Sequence, residues 1–329
     1  MFQGLAPVTR RRSKCVRRLA LLLTGLLIAT VVGLYYTVPS VLMKLRSAPK
    51  LERMVWTGSG TSHRVIDEAG GWFNDGKPTE LVIRSKKTSD GWDRPEDIVI
   101  RNCRIRGSIR ILGLGVNGEA EGVRASSVEL GHTERAQAAA PTNIRISNVE
   151  FDGVRRIPIY LAPGVTRVTI ENCTFSGWSV STAIYLDAES ADNVIRDNHF
   201  NLRTYREVIA VDGSANNRIE DNTFAHPDWG GIYLYRNCGE GGTVRHQTPH
   251  GNVIADNRLD LSSLTWRSYG IWLGSRNGRR VYCECDAGHD FGSSADNGDF
   301  ANDNLVTGNV FAPSHERATR DDGNDNRVE

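Results

Sequence analysis

Acidic side chains are absent from the first 44 residues of this 329-residue chain, which hold seven basic ones: Arg10, Arg11, Arg12, Lys14, Arg17, Arg18 and Lys44. The net charge is +1, so the rest of the chain carries +1 − 7 = −6. A mildly acidic body lacks the basic footprint of bulk nucleic-acid binding, and no nucleic-acid partner is expected. Paired C-x2-C spacing is also lacking, so the cysteines do not read as a zinc site, and no metal ligand set is assigned.

What is present first is an uncharged run of twenty residues from Leu19 to Val38, LALLLTGLLIATVVGLYYTV. About twenty apolar residues rising 1.5 Å each match a bilayer core of roughly 30 Å. Tyr35 and Tyr36 sit near one end, where aromatic rings favour the interface. Six basic residues precede the run, which puts the N-terminus in the cytoplasm and the rest in the periplasm or outside the cell. A cleaved signal peptide is the competing reading. The run is longer than the usual apolar region, and no clear A-x-A site follows it. An extracytoplasmic body permits disulfides, and Cys238 can pair with either Cys283 or Cys285, all three in polar loops.

Beyond the anchor the chain repeats itself. IVIRNCRIRG (98–107), IRISNVEFDG (144–153), VTIENCTFSG (168–177), NVIRDNHFNL (193–202), NRIEDNTFAH (217–226), NVIADNRLDL (252–261) and NLVTGNVFAP (304–313) share one pattern. The recurring asparagines are Asn102, Asn148, Asn172, Asn198, Asn222, Asn257 and Asn309, separated by 46, 24, 26, 24, 35 and 52 residues. Alternating apolar positions mean strands, and a period near 24 without a helical stretch suits one turn of a parallel β-helix. Stacked strands lie about 4.8 Å apart, so inward asparagines can bond up and down as a ladder. All seven are expected in one register.

A second strand set follows: SIRIL (108–112), PIYLA (158–162), AIYLD (183–187), VIAVD (208–212), GIYLY (231–235) and GIWLG (270–274). Its period places Ile109, Ile159, Ile184, Ile209, Ile232 and Ile271 on one inward column. Ile111, Leu161, Leu186, Val211, Leu234 and Leu273 form the next. The residues between them point outward.

These N-x-I-x-x-N-x-F repeats followed by GIYL strands resemble the right-handed parallel β-helix superfamily of pectate-lyase-like and NosD-type proteins. The resemblance implies an all-β fold, a single solenoid of about eight coils over residues 64–313. RVIDE (64–68) and ELVIRS (80–85) would begin it. A left-handed helix would show a hexapeptide period, which is missing. Residues 1–18 read as a cytoplasmic tail, 19–38 as the anchor, 39–63 as linker and N-terminal cap, and 314–329 as a disordered tail.

The superfamily's enzymes work on an outer sheet face rimmed by loops. Outward positions here are Arg110, Tyr160, Tyr185, Ala210, Tyr233 and Trp272, then Asp187, Asp212 and Tyr235. Arg110, Tyr185, Tyr233, Tyr235 and Trp272 are candidate sugar contacts, because pyranose faces stack on aromatic rings. Packing beneath a covering loop is the alternative. Asp187 and Asp212 fall on adjacent turns about 5 Å apart, a spacing that suits a retaining glycosidase. A Ca²⁺ between them could instead serve β-elimination, and a plain hydrogen-bonded turn is the third option.

Insertions at 114–141, 236–250 and 275–300 leave one strand set and should rim one face. The second carries Arg236, Glu240, Arg245, His246 and His250, and the third carries Arg276, Tyr282, Asp286, His289 and Asp290. Arg236 and Arg276 are candidate grips for carboxylates, and His246 is a candidate acid/base. The D-P-H-D segment of mannuronan epimerases, the R-x-P-x-x-R run of pectate lyases and the G-H-G element of polygalacturonases are all missing. No family's catalytic residues transfer. Three functions follow as expectations: a membrane-tethered polysaccharide lyase, epimerase or hydrolase; a non-catalytic carbohydrate-binding or exopolysaccharide-assembly protein; and a NosD-like handler of a metal or cofactor.

Overall fold

The computed structural model describes residues 49–116 and 120–329. The expected anchor at Leu19–Val38 and its cytoplasmic tail lie outside them. No helix among the described residues is long and apolar enough to cross a membrane.

Each coil contributes strands to three parallel faces, here called A, B and C. Face A holds Glu52–Thr57, Thr79–Arg84, the end of Glu96–Leu112, Ile159–Leu161, Ile184–Leu186, Ile209–Asp212, Ile232–Tyr235, Ile271–Leu273 and Thr319–Asp321. Face B begins at Val65–Asp67 and ends at Arg327–Val328. Face C includes Thr174–Trp178, His199–Arg203 and Val310–Ala312.

The register on face A matches the spacing of the sequence. Ile109, Ile159, Ile184, Ile209, Ile232 and Ile271 pair in succession, as do Ile111, Leu161, Leu186, Val211, Leu234 and Leu273. Both columns are fully buried. Branched side chains stacked at the coil repeat fill the interior as a dry column, each covering the apolar area of the one below. On face C the apolar residue that closes each repeat does likewise. Phe151, Phe175, Phe200 and Phe224 stack with ring centroids 4.9, 4.8 and 4.8 Å apart.

The seven-asparagine ladder is corrected. Asn198, Asn222, Asn257 and Asn309 form it, Nδ2 donating to the next Oδ1 at 3.0 Å each time. Asn102, Asn148 and Asn172 stand one position earlier, in the left-handed conformation at φ 50, 54 and 52°. On later coils that corner is taken by Asp197, Asp221, Asp256 and Gly308. The chain needs a left-handed residue to turn here, and Asn, Asp and Gly adopt that conformation at least cost. The residues in ladder register on the early coils are Cys103, Val149 and Cys173, all buried. The slip falls where Cys173 N–H donates to Asn198 Oδ1, 25 residues on.

A second ladder stands at the preceding corner, just before each face B strand. Asn193, Asn217, Asn252, Asn304 and Asn326 bond in series at 3.0, 2.8, 3.0 and 3.0 Å. Its members open the N-x-I half of each repeat.

The coils also run past both expected limits. Glu52–Thr57, placed in the linker and cap, is a face A strand in parallel register with Thr79–Arg84. The tail expected to be disordered supplies Thr319–Asp321 and Arg327–Val328. Its D-N-R-V (325–328) is a further repeat, with Asp325 left-handed at φ 55° and Asn326 in the ladder. A charged composition hid it, because the last coil has few neighbours to bury against.

Cys238 and Cys283 form a disulfide, while Cys285 is free and exposed. Cys103 and Cys173 are free and buried, and burial pushes each thiol up to about 12. Iodoacetamide on the native, unreduced protein should therefore label Cys285 and reach Cys103 and Cys173 only after denaturation. Peptide mass spectrometry reads this, and native labelling of Cys173 would contradict the packing of that column.

Candidate functional site

Three long connections leave the ends of face A strands at Leu112, Tyr235 and Leu273. The first folds into helices Glu121–Ser127 (α1) and His132–Ala139 (α2). The second lies between the other two. Val244 N–H donates to Ser127 Oγ at 3.1 Å, Arg245 N–H donates to Ser293 Oγ at 2.9 Å, and Ser293 N–H donates to Arg245 O at 2.8 Å. The disulfide joins the second connection to the third. Arg236 clamps the third further, donating to Gly298 O at 3.1 Å and to Asp296 O, with Phe300 beneath its guanidinium. Arg236 is thus a loop fastener, buried away from any substrate path.

These loops cover much of face A. Tyr160, Tyr185, Tyr233 and Tyr235 are buried and, with Ala162 and Ala210, make an apolar cluster outside the solenoid core. The expected open aromatic platform is a covered layer instead. Each hydroxyl is tied down, since a buried O–H without a partner would cost about 1–3 kcal/mol. Tyr160 donates to Asp187 at 2.5 Å, Tyr185 to Asp212 at 2.6 Å and Tyr235 to Glu207 at 2.8 Å. Tyr233 accepts from Tyr269 N–H at 2.9 Å. Trp272 is half-buried and donates to Asp322 at 2.9 Å.

Asp187 and Asp212 do stack on adjacent coils, as the register of Leu186 on Val211 requires. The space between the two aspartates, one alternative for which was a Ca²⁺, is approached by a guanidinium. Arg245, 1% exposed, places Nη1 3.1 Å from Asp187 and 3.8 Å from Asp212, and Nη2 3.2 Å from Glu240. Asp212 also accepts from Asn237 N–H at 2.8 Å and Asn237 Nδ2 at 2.6 Å. Burial still raises Asp212 to about 7, Arg245 pulling it down and Asp187 pushing it up.

His246 points the other way from Arg245, as neighbours in an extended segment must. Its Nε2 lies 2.8 Å from Ser127 O, and its ring packs against His132 and Phe291. It does not meet the aspartates, so this candidate acid/base and the carboxyl pair do not share one site. Its backbone N–H instead donates to Glu189 at 2.8 Å, and burial raises that carboxyl.

Two adjoining cavities remain open on face A. One of about 260 Å³ is lined by Arg110, Tyr160, Tyr185, Asp187, Arg206, Glu240, Arg276, Arg280 and Tyr282, among others. One of about 300 Å³ is lined by Arg206, Glu207, Tyr233, Arg276, Arg279 and Arg280, with Ser275. Sharing three arginines makes them one groove. Of the residues expected at a site, Arg110, Tyr185, Tyr233, Asp187 and Arg276 reach it, whereas Asp212, Tyr235, Arg236, His246 and Trp272 do not line it. Arg276 lies over the Tyr235 ring, 3.3 Å from its centroid, and donates to Asn237 Oδ1 at 2.5 Å. Arg206, Arg279 and Arg280 were missed as site residues. Arg206 sits on a corner three residues before the inward Ile209, and no repeat pattern marks it.

Cysteine and histidine do not converge as ligands. Cys238 and Cys283 are bonded to each other, and no group of three or more His, Cys, Asp and Glu placed to hold a metal occurs among the described residues.

Compared with known proteins, residues 90–282 match the family model described as the right handed beta helix region. No curated protein matches the chain. Among solved structures, the Dettilon tailspike protein is 12% identical over 68% of this chain and 59% of its own, with a TM-score of 0.15. This chain thus spans less than two thirds of that protein's length, and the likeness adds nothing to the family match.

Proposed function

We propose, for a chain that belongs to the right-handed β-helix family, that it binds an acidic polysaccharide in the groove over face A. The observation that carries this is the convergence of Arg110, Arg206, Arg276, Arg279 and Arg280 on one groove beside tyrosine rings. They come from a strand, a corner and a loop, so only the fold assembles them. Guanidinium forks match carboxylates in two-point contacts, and ring faces take the apolar side of a sugar. The acids that share the groove are partly neutralised, Asp187 by Arg245 at 3.1 Å, Glu240 by Arg245 at 3.2 Å and Glu207 by Arg206 at 3.1 Å.

Holding the polymer, rather than cleaving it, is the reading the geometry favours. Asp212 is fully buried and its oxygens are occupied, so the Asp187/Asp212 pair does not open onto a substrate. The uncharged run at Leu19–Val38 would tether the domain on the outer side of a membrane, a placement suited to handling a polymer in the periplasm or at the cell surface.

The test is binding of the full chain to polygalacturonate, alginate and neutral dextran by calorimetry. The acidic polymers should bind and dextran should not, with affinity falling as salt rises. Arg276→Ala should weaken binding on the order of tenfold, the loss of one charge-assisted contact. Equal binding of dextran, or an unchanged Arg276→Ala variant, would sink the proposal. Unsaturated or new reducing ends appearing in the same mixtures, and lost in Asp187→Asn, would establish a lyase or hydrolase instead.

A further inference from the structure

We infer that the corner joining face C to face A is a second contact line for the same acidic polymer, continuing out of the groove. The inference rests on the groove reading for its ligand and on separate residues for its geometry. Four consecutive coils each place one aromatic side chain here: Trp178, Tyr205, Trp229 and Trp266. The three tryptophans are 45, 38 and 62% exposed. Single exposed apolar residues are ordinary, but one aromatic per coil along one edge is not scatter.

The coils are stacked at this corner by direct bonds. Tyr205 N–H donates to Ser181 O at 3.2 Å, Arg203 Nη1 to Asp228 at 3.0 Å, and Thr265 N–H to Asp228 O at 2.8 Å. Trp178 and Tyr205 lie stacked with centroids 6.4 Å apart and planes 29° from parallel. The four positions are not in strict register, lying six, four, three and five residues before the inward Ile184, Ile209, Ile232 and Ile271, but each stays on the same corner of its own coil, and the coils stack about 4.8 Å apart. Arginines accompany them. Arg203 is half-exposed, and Arg267 lies over Trp266 with its guanidinium 4.0 Å from the ring centroid. Arg206, on the same corner, lines the groove and makes the two surfaces continuous.

A line of flat rings interleaved with guanidinium groups fits a polymer of sugar rings bearing carboxylates. Each ring face would take one pyranose face, and each arginine a uronate. A lipid surface would favour a flat patch of inserting rings over a single file on a ridge.

The experiment measures affinity of the full chain for oligogalacturonides from the disaccharide to long fragments by calorimetry. Wild type should bind long fragments more tightly than short ones. The triple variant Trp178→Ala/Trp229→Ala/Trp266→Ala should keep disaccharide binding and lose on the order of tenfold on long fragments. Arg276→Ala tests the groove by itself, through the disaccharide. If the groove variant is silent while the triple variant still loses long fragments, the ridge stands and the groove reading falls. Identical length dependence in wild type and triple variant would overturn the ridge. So would a triple variant whose deficit appears only in adsorption to phosphatidylglycerol vesicles.

Discussion

Replacing Arg245 with methionine should destabilise the β-helix by about 3–5 kcal/mol, the usual cost of stranding a buried charge whose partner is removed. Two carboxyls depend on this guanidinium, Asp187 at 3.1 Å and Asp212 at 3.8 Å, and neither reaches solvent appreciably. The deficit should depend on pH. In the native protein Asp212 is raised to about 7 from its ordinary 3.8, mainly by burial. A raised carboxyl holds its proton longer folded than unfolded. Its contribution therefore favours the fold most below about pH 4 and is lost as pH climbs to about 7. Without Arg245 the carboxyl rises further, so the variant should be worst at pH 8 and recover part of its stability at pH 5. Denaturant midpoints at the two pH values measure this. A deficit under about 1 kcal/mol, or one equal at both pH values, would mean the carboxyls draw their compensation from elsewhere. The triple change Asp187→Asn/Asp212→Asn/Arg245→Met should restore most of the loss, because it removes the buried charges together.

Asn217→Ala should cost about 2–5 kcal/mol, whereas Asn102→Ala should cost about 1 kcal/mol. Asn217 Oδ1 accepts both the backbone N–H and Nδ2 of Asn193, each at 3.0 Å, inside a fully buried column. Its removal orphans two donors at once, and water cannot reach them. Asn102 bonds Asn148 at 2.7 Å on the exposed outside of a corner, where water replaces any lost partner. Its left-handed φ of 50° costs alanine about 1 kcal/mol, and its exposed bonds to Asp67 at 3.2 Å are replaced by water. Thermal melts of the two variants decide the matter. Equal losses would mean that the outer asparagines carry the load the inner ladder is assigned here.

The same pair of residues shows where reading the sequence succeeds and where it slips. A period near 24 with strand alternation admits few folds, and it placed every inward isoleucine of face A correctly from Ile109 to Ile271. The asparagine register failed by one position on the early coils. Asn in a left-handed corner and Asn in a buried ladder occupy neighbouring positions, and single-letter spacing does not separate them. The 26-residue step from Asn172 to Asn198, between two steps of 24, was the visible sign. The closing D-N-R-V coil was likewise legible as a repeat and was hidden by its charge.

The site was legible only by address. Alternation determined that Arg110, Tyr185, Tyr233 and Asp187 leave the core on the outer side of face A, because backbone geometry fixes that direction locally. Sequence by itself thus determined the solenoid, its interior columns and the edge from which the loops depart. Which outward residue meets solvent was decided by tertiary structure alone. Loops of irregular conformation carry no period, so nothing in their spacing could say that Arg245, and not its neighbour His246, turns inward to the two aspartates. The partner of Cys238 was open between Cys283 and Cys285 for the same reason, and the fold chose Cys283. Local periodicity is a property of the backbone and survives in the sequence, whereas the groove arises from contacts between segments far apart in the chain.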